Sequence, residues 1–273
     1  MKTKKAPLQP AAVLGILREL RASASRRQPI VVAGSRGLVP VLAKELARGG
    51  VATAVREQGP LEDASALVYV LAGRPGSDED EVLKAAARKR LPIVAVAIGF
   101  DGHVPYVLEE NVVRVGGGSG FPIEEIAGRL AHALGEAGTT LAARLPVLRR
   151  PVCDELIRKF SRQNGIVGVA AFMPGDDLPI LTVNQVRLVL RIADAYGFEI
   201  DKDRVPEVLG VIGSGIGFRA LARRIGVVPL VGWAIKGAVA YAGTRALGEA
   251  AVRYFERRAP VTRVAGDRTL FPR

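Results

Sequence analysis

The sequence predicts an α/β domain with a mostly parallel, Rossmann-like sheet, followed by an all-α domain rich in Gly and Ala. Three observations carry this. Short apolar runs in the first half alternate with amphipathic helical patterns, the signature of strand–helix–strand units with right-handed crossovers. One of those runs, residues 66–72 (ALVYVLA), is continuous and apolar, as expected of a strand buried on both faces. The late stretch 205–255 is dense in Gly, Ala, Val and Leu and poor in charge. At 273 residues the chain is long enough for two domains of ordinary size.

Residues 1–28 read as a basic N-terminal helix and loop. Residues 11–21 are amphipathic, with Val13, Leu14, Leu17 and Leu20 on one side. The α/β domain spans 29–138. Residues 29–34 are a buried strand entering a turn, 38–48 a helix closed by Gly49 and Gly50, and 51–56 a second strand. The third strand is 66–72. A helix over 78–90 begins with Ser77 and Asp80 in an approximate capping box. Strands at 92–98 and 111–115 follow, then the glycine loop Gly116–Gly120 and a helix over 122–135 with proline in its first turn.

Residues 139–151 carry prolines and basic side chains and read as a linker. Residues 152–258 form the helical domain, and 259–273 a tail. Residues 182–196 are an amphipathic helix ended by Gly197, with Asn184, Arg187, Arg191 and Asp194 on one stripe. Between residues 225 and 244 the one charged residue is Lys236, over about the 20 residues needed to cross a hydrocarbon core. A lysine near the middle costs about 3 kcal/mol on the insertion scale, so this segment stands between a membrane helix and a buried core helix. Residues 205–218 and 225–244 could also form a hairpin. Ala234, Ala238, Ala242 and Ala246 recur at every fourth position and Gly213 and Gly217 form a GxxxG, both patterns that let helices approach closely.

The net charge of +12 favours acidic partners, and an aromatic content of 5% with one Trp favours anionic lipid over nucleic acid. The basic N-terminus is followed by no apolar signal core, so membrane contact is expected from the cytoplasmic side. Cys153, the one cysteine, excludes an internal disulfide framework, and with two histidines no metal site is expected. The first βα turn, Gly34-Ser35-Arg36-Gly37, has neither the Lys nor the hydroxyl of a phosphate-binding loop, and Pro40 removes an amide from the helix start. A tight turn is the simpler reading; nucleotide binding would use Gly34, Ser35, Arg36, Gly37 and Asp101. Asp177 fits a helix cap. Arg187 and Arg191 could meet phosphate headgroups, the α/β domain or Asp194. No nucleophile and base stand at a catalytic spacing, and no cofactor is expected.

Residues 29–138 resemble a small Ras/Era-type GTP-binding domain that has lost its catalytic loops. The run VYVLAGRPGSDEDEVLKAAARKRLPIVAVAIG is similar to the strand–helix–strand leading to that family's Asn-Lys-x-Asp, of which Asp101 alone remains. The run MPGDDLPILTVNQVRLVLRIADAYG, followed by Ala-Gly-Thr244-Arg-Ala-Leu-Gly248-Glu, resembles the YcjF-type family, whose domains follow Era-like GTPases and are regarded as membrane-embedded. That similarity covers residues 153–257 and rests on Pro174, Asp177, Pro179, Gln185, Arg187, Tyr196, Gly197, Thr244 and Gly248. It implies a non-enzymatic, inner-membrane scaffold or regulator with a pseudo-GTPase domain, meeting an anionic bilayer surface and a protein partner or a second copy through its helices. The alternatives are a weak GTP-binding protein or GTPase, and a soluble helical interaction scaffold.

Overall fold

A computed structural model describes residues 10–24, 28–170, 178–198, 210 and 232–259. The chain divides into two compact units: Arg26–Val152 builds one, and Met1–Ser25 joins Cys153–Ala259 in the other. The α/β unit is therefore inserted into the helical one, and the N-terminal helix is part of the helical unit rather than a segment of its own.

The α/β unit holds five strands, β1 (Ile30–Gly34), β2 (Val55–Glu57), β3 (Ala66–Ala72), β4 (Ile93–Ile98) and β5 (Val112–Val115). All pair in parallel in the order β2-β1-β3-β4-β5, with Ile30 opposite Val55 and Ala66, Leu67 opposite Ile93, and Ala95 opposite Val112. This is a doubly wound order. Six of the seven β3 residues are buried, so its unbroken apolar run does mark a strand covered on both faces. On one face Leu67, Tyr69 and Leu71 pack with Val31, Ala95 and Ala97 against Leu83 and Ala86 of α3 (Ser77–Arg88). The other face carries α2 (Val39–Leu46) and α4 (Ile123–Leu134), which touch each other. Each large apolar side chain so enclosed contributes about 1.5–3 kcal/mol.

Three local readings are corrected. The second strand starts later than expected, because Ala52–Ala54 make a 3₁₀ turn with Ala54 buried. The capping box at the start of α3 is one residue earlier than Ser77–Asp80: the Gly76 amide donates to Glu79 Oε2 at 2.5 Å. The stretch read as a linker is helical, forming α5 (Thr139–Arg144) and the first turns of α6 (Pro146–Ala170). Leu141, Leu145, Leu148 and Val152, spaced four, three and four apart, make a buried stripe that the intervening prolines and arginines disguised. Arg149 donates to the carbonyls of Ala142 and Ala143 at the end of α5, a favourable place for a cation.

The helical unit contains α1 (Pro10–Ala24), α6 from Cys153 onward, α7 (Leu178–Ala195) and α8 (Gly232–Glu256). Ile16, Leu17 and Leu20 of α1 pack on Val183, Val186 and Leu190 of α7. Leu188, Ile192, Val252 and Phe255 are buried, and the Phe198 and Phe255 ring centroids are 5.3 Å apart. No helix among the described residues is long and apolar enough to cross a membrane. Residues 232–244 of the candidate span lie in α8; residues 225–231, the proposed arm 205–218 apart from Gly210, and Gly213 with Gly217 lie outside the described residues.

The reassignment of residues 139–151 has a direct test. Leu148→Ala should cost about 2–5 kcal/mol in chemical denaturation, as for a core leucine. A loss below about 0.5 kcal/mol, the range of surface substitutions, would restore the linker.

Candidate functional site

The first βα turn is shaped by a close approach between strands. Gly34 has φ +110°, and a Cβ built there would overlap the carbonyl oxygen of Val70 on β3. The next amide, Ser35 N–H, donates to that same oxygen at 2.9 Å. The Ser35 carbonyl then accepts from Leu38 and Val39, both at 3.0 Å, and Pro40 has no N–H. From Ser35 to Pro40, at most the amides of Arg36 and Gly37 remain for an anion, whereas a phosphate cradle needs several convergent N–H groups.

Asp101 follows β4, and β3 separates β4 from β1, so about two strand spacings of ~4.8 Å lie between their backbones. Asp101 is exposed and lies in the field of Arg114 on β5, as does Glu109, whose Oε1 is 2.5 Å from Arg114 Nη1. The hydrogen bond and charge of Arg114 hold the Glu109 carboxyl below its ordinary range, and those carboxylates hold the guanidinium above its own. Between the first turn and the glycine loop lies a cavity of about 550 Å³, walled by Leu38, Ile98, Phe121 and Ile123 with Ser119. Among the described residues lining it, Glu45 is the one charged side chain, the wrong sign for phosphate.

In the helical unit, α6 and α8 meet through glycines. A Cβ on Gly168 would stand 3.0 Å from Ala240 Cβ and from the Lys236 carbonyl, and one on Gly237 would overlap Val169. Lower down, a Cβ on Gly248 would come within 2.5 Å of Ile157 Cγ1. The stripe of α8 that meets α6 thus runs through Gly237, Thr244 and Gly248, all buried. Ala238, Ala242 and Ala246 are exposed, roughly 100–180° around the helix from it. The alanine ridge read from the sequence is therefore not the stripe that meets α6; the neighbouring glycines make that contact. Ala234 falls within α8, but its side chain lies outside the described residues, as does Asp177.

A polar layer crosses the same contact. Asn184 Nδ2 on α7 donates to Asn164 Oδ1 on α6 at 2.8 Å, Asn164 Nδ2 donates to Thr244 Oγ1 on α8 at 2.8 Å, and Thr244 Oγ1 donates to the Ala240 carbonyl at 2.8 Å. Asn164 and Thr244 are wholly buried. Thr244 and Gly248, noticed in the sequence by resemblance, have physical roles here. Asn184 was placed on the polar stripe of its helix, but Asn164, Gly165 and Gly168 went unnoticed, although an asparagine beside two glycines three apart in an apolar run was a readable signal. Gln185 is half-buried. Arg187 and Arg191 converge on Glu19 of α1: Arg187 Nη2 is 2.7 Å from Oε2, and Arg191 Nη2 is 2.5 Å from Oε1. Arg191 is buried, so its guanidinium is held inside the helical unit rather than offered to headgroups.

No protein-family model matches the chain, and no curated protein matches it.

Thr244→Val keeps the shape of the layer but leaves Asn164 Nδ2 without its acceptor. A buried unsatisfied donor costs about 1–3 kcal/mol, so unfolding free energy should fall by about that much. A variant as stable as the parent would mean that the layer does not hold the three helices together.

Proposed function

We propose that the protein is a non-enzymatic, peripheral membrane scaffold, held at the cytoplasmic face of the inner membrane by its helical unit, with a pseudo-GTPase-like α/β unit. The observation that carries this is the groove of about 700 Å³ between α6 and α8. Its rim exposes Ile166 by 69% and Val169 by 41%, three residues apart on one helix face. Arg162 lines the groove, and Lys236 on α8 is also exposed. Exposed aliphatic side chains bordered by cations suit the boundary between headgroups and acyl chains of an anionic leaflet, with the apolar part supplying affinity and the cations drawing the surface in. The net charge of +12 acts in the same direction. The resemblance to the YcjF-type family supports the same location. The internally bonded amides of the first turn support a scaffold that does not bind a triphosphate.

Co-sedimentation of the full chain with vesicles of phosphatidylglycerol and phosphatidylcholine tests the reading. Binding is expected, weakening as salt rises because the cation contribution is screened. Ile166→Asp should reduce it by about tenfold, corresponding to roughly 1.4 kcal/mol. Protein left in the supernatant with anionic vesicles at low salt would refute membrane association. Titration with GTP, GDP and ATP is expected to show no micromolar binding, and such binding would overturn the pseudo-GTPase part.

A further inference from the structure

The contact between α1 and α7 is amphipathic on both sides, and both sides are basic. On α1, Ile16, Leu17 and Leu20 are buried against Val183, Val186 and Leu190 of α7. Arg187 and Arg191 stand beside those aliphatic residues of α7, one turn apart. Among residues 1–27, Glu19 is the one acidic residue beside seven Lys and Arg. Its carboxylate joins the two faces. Arg187 Nη2 is 2.7 Å from Oε2, and Arg191 Nη2 is 2.5 Å from Oε1. The Arg191 side chain is 4% exposed and the Glu19 side chain 45%, so the member of this pair open to water is the carboxylate.

α7 does not use all of the apolar surface that α1 offers. Leu14 is 39% exposed. Gly15 has open space where a Cβ would stand, so docking on α7 does not call for a glycine there. Glycine inside a helix weakens it, and a helix of 15 residues is marginal in water by itself. α1 therefore needs a surface to lie on. A basic helix with a broad aliphatic face has the composition of one that lies in a membrane interface. Moving from α7 to acyl chains keeps Ile16, Leu17 and Leu20 out of water, so their burial does not decide between the two surfaces. The charges do. On α7, Glu19 offsets Arg187 and Arg191. On an anionic leaflet the arginines of both faces meet phosphates, and Glu19 is the group repelled.

We infer that the α1–α7 contact is the closed form of a second lipid-binding surface. On an anionic leaflet α1 leaves α7, and the aliphatic faces of both helices enter the interface with Arg18, Arg187 and Arg191 at the headgroups. Glu19 is the latch. This rests on the membrane reading above and adds to it a site apart from the groove between α6 and α8.

Co-sedimentation of the full chain with phosphatidylglycerol vesicles tests the inference through two substitutions. Glu19→Gln weakens the closed form and removes the repelled charge, so it should tighten binding by about tenfold. Glu57→Gln, the same change of charge at an exposed site on β2, should alter binding by less than about twofold, because that charge is screened. Leu14→Gln, at a position that α7 leaves open, should keep the melting temperature and weaken binding by about tenfold. Glu19→Gln binding no tighter than Glu57→Gln, or a folded Leu14→Gln chain binding like the parent, would show that α1 stays on α7. Either result overturns the latch but leaves the membrane reading standing, provided the parent binds and Ile166→Asp weakens it. A parent chain that ignores anionic vesicles sinks both.

Discussion

The contact between Gly34 and the Val70 carbonyl sets the character of the whole carboxyl edge of the sheet. β1 and β3 run so close at their ends that only a residue without Cβ fits, and the bond from Ser35 N–H to Val70 O continues the ladder one residue past the strand. The chain must then reverse into α2 within a few residues, and the Ser35 carbonyl takes two amides to do so. Amides spent on the turn cannot also converge on a ligand. The same geometry that makes the turn tight makes it a poor anion cradle, and the apolar walls of the neighbouring cavity agree with that.

The helical unit answers a different constraint. Its helices approach through glycines, which bring backbone polar groups close together and leave little side-chain volume to specify register. The chain of hydrogen bonds from Asn184 through Asn164 to Thr244 supplies that specification, since sliding α8 by one turn would orphan a wholly buried amide. Close packing of small residues and a satisfied polar layer are equally at home in a water-soluble bundle and beside lipid. What differs between those two settings is the outer face, and it is the outer face that exposes Ile166 and Val169.

Much of the α/β unit was legible because its signal is one-dimensional. β3 and β4 are apolar without interruption, and α3 and α4 end where Gly or a helix-terminating turn follows. Residues 139–151 misled because Pro146, Pro151 and the arginines suggest a linker, whereas Leu141, Leu145 and Leu148 are buried. The alanine ridge misled for a related reason. Periodicity locates a stripe of small residues but does not say which of two adjacent stripes meets a neighbour, and here Gly237 and Gly248 were chosen over Ala238 and Ala246. Glu19 as the partner of Arg187 and Arg191 lies some 170 positions upstream, beyond any local pattern.

The insertion of one unit into the other has a consequence for biogenesis. As the chain leaves the ribosome, α1 emerges with Ile16, Leu17 and Leu20 bare, and the surface that will cover them, around Val186 and Leu190, is not yet made. At ~5–20 residues per second the wait is on the order of ten to thirty seconds. During that interval the α/β unit can complete its sheet, while the nascent first helix remains adhesive and open to chaperones. Circular permutation that placed α1 after α8 in the chain would remove that delay.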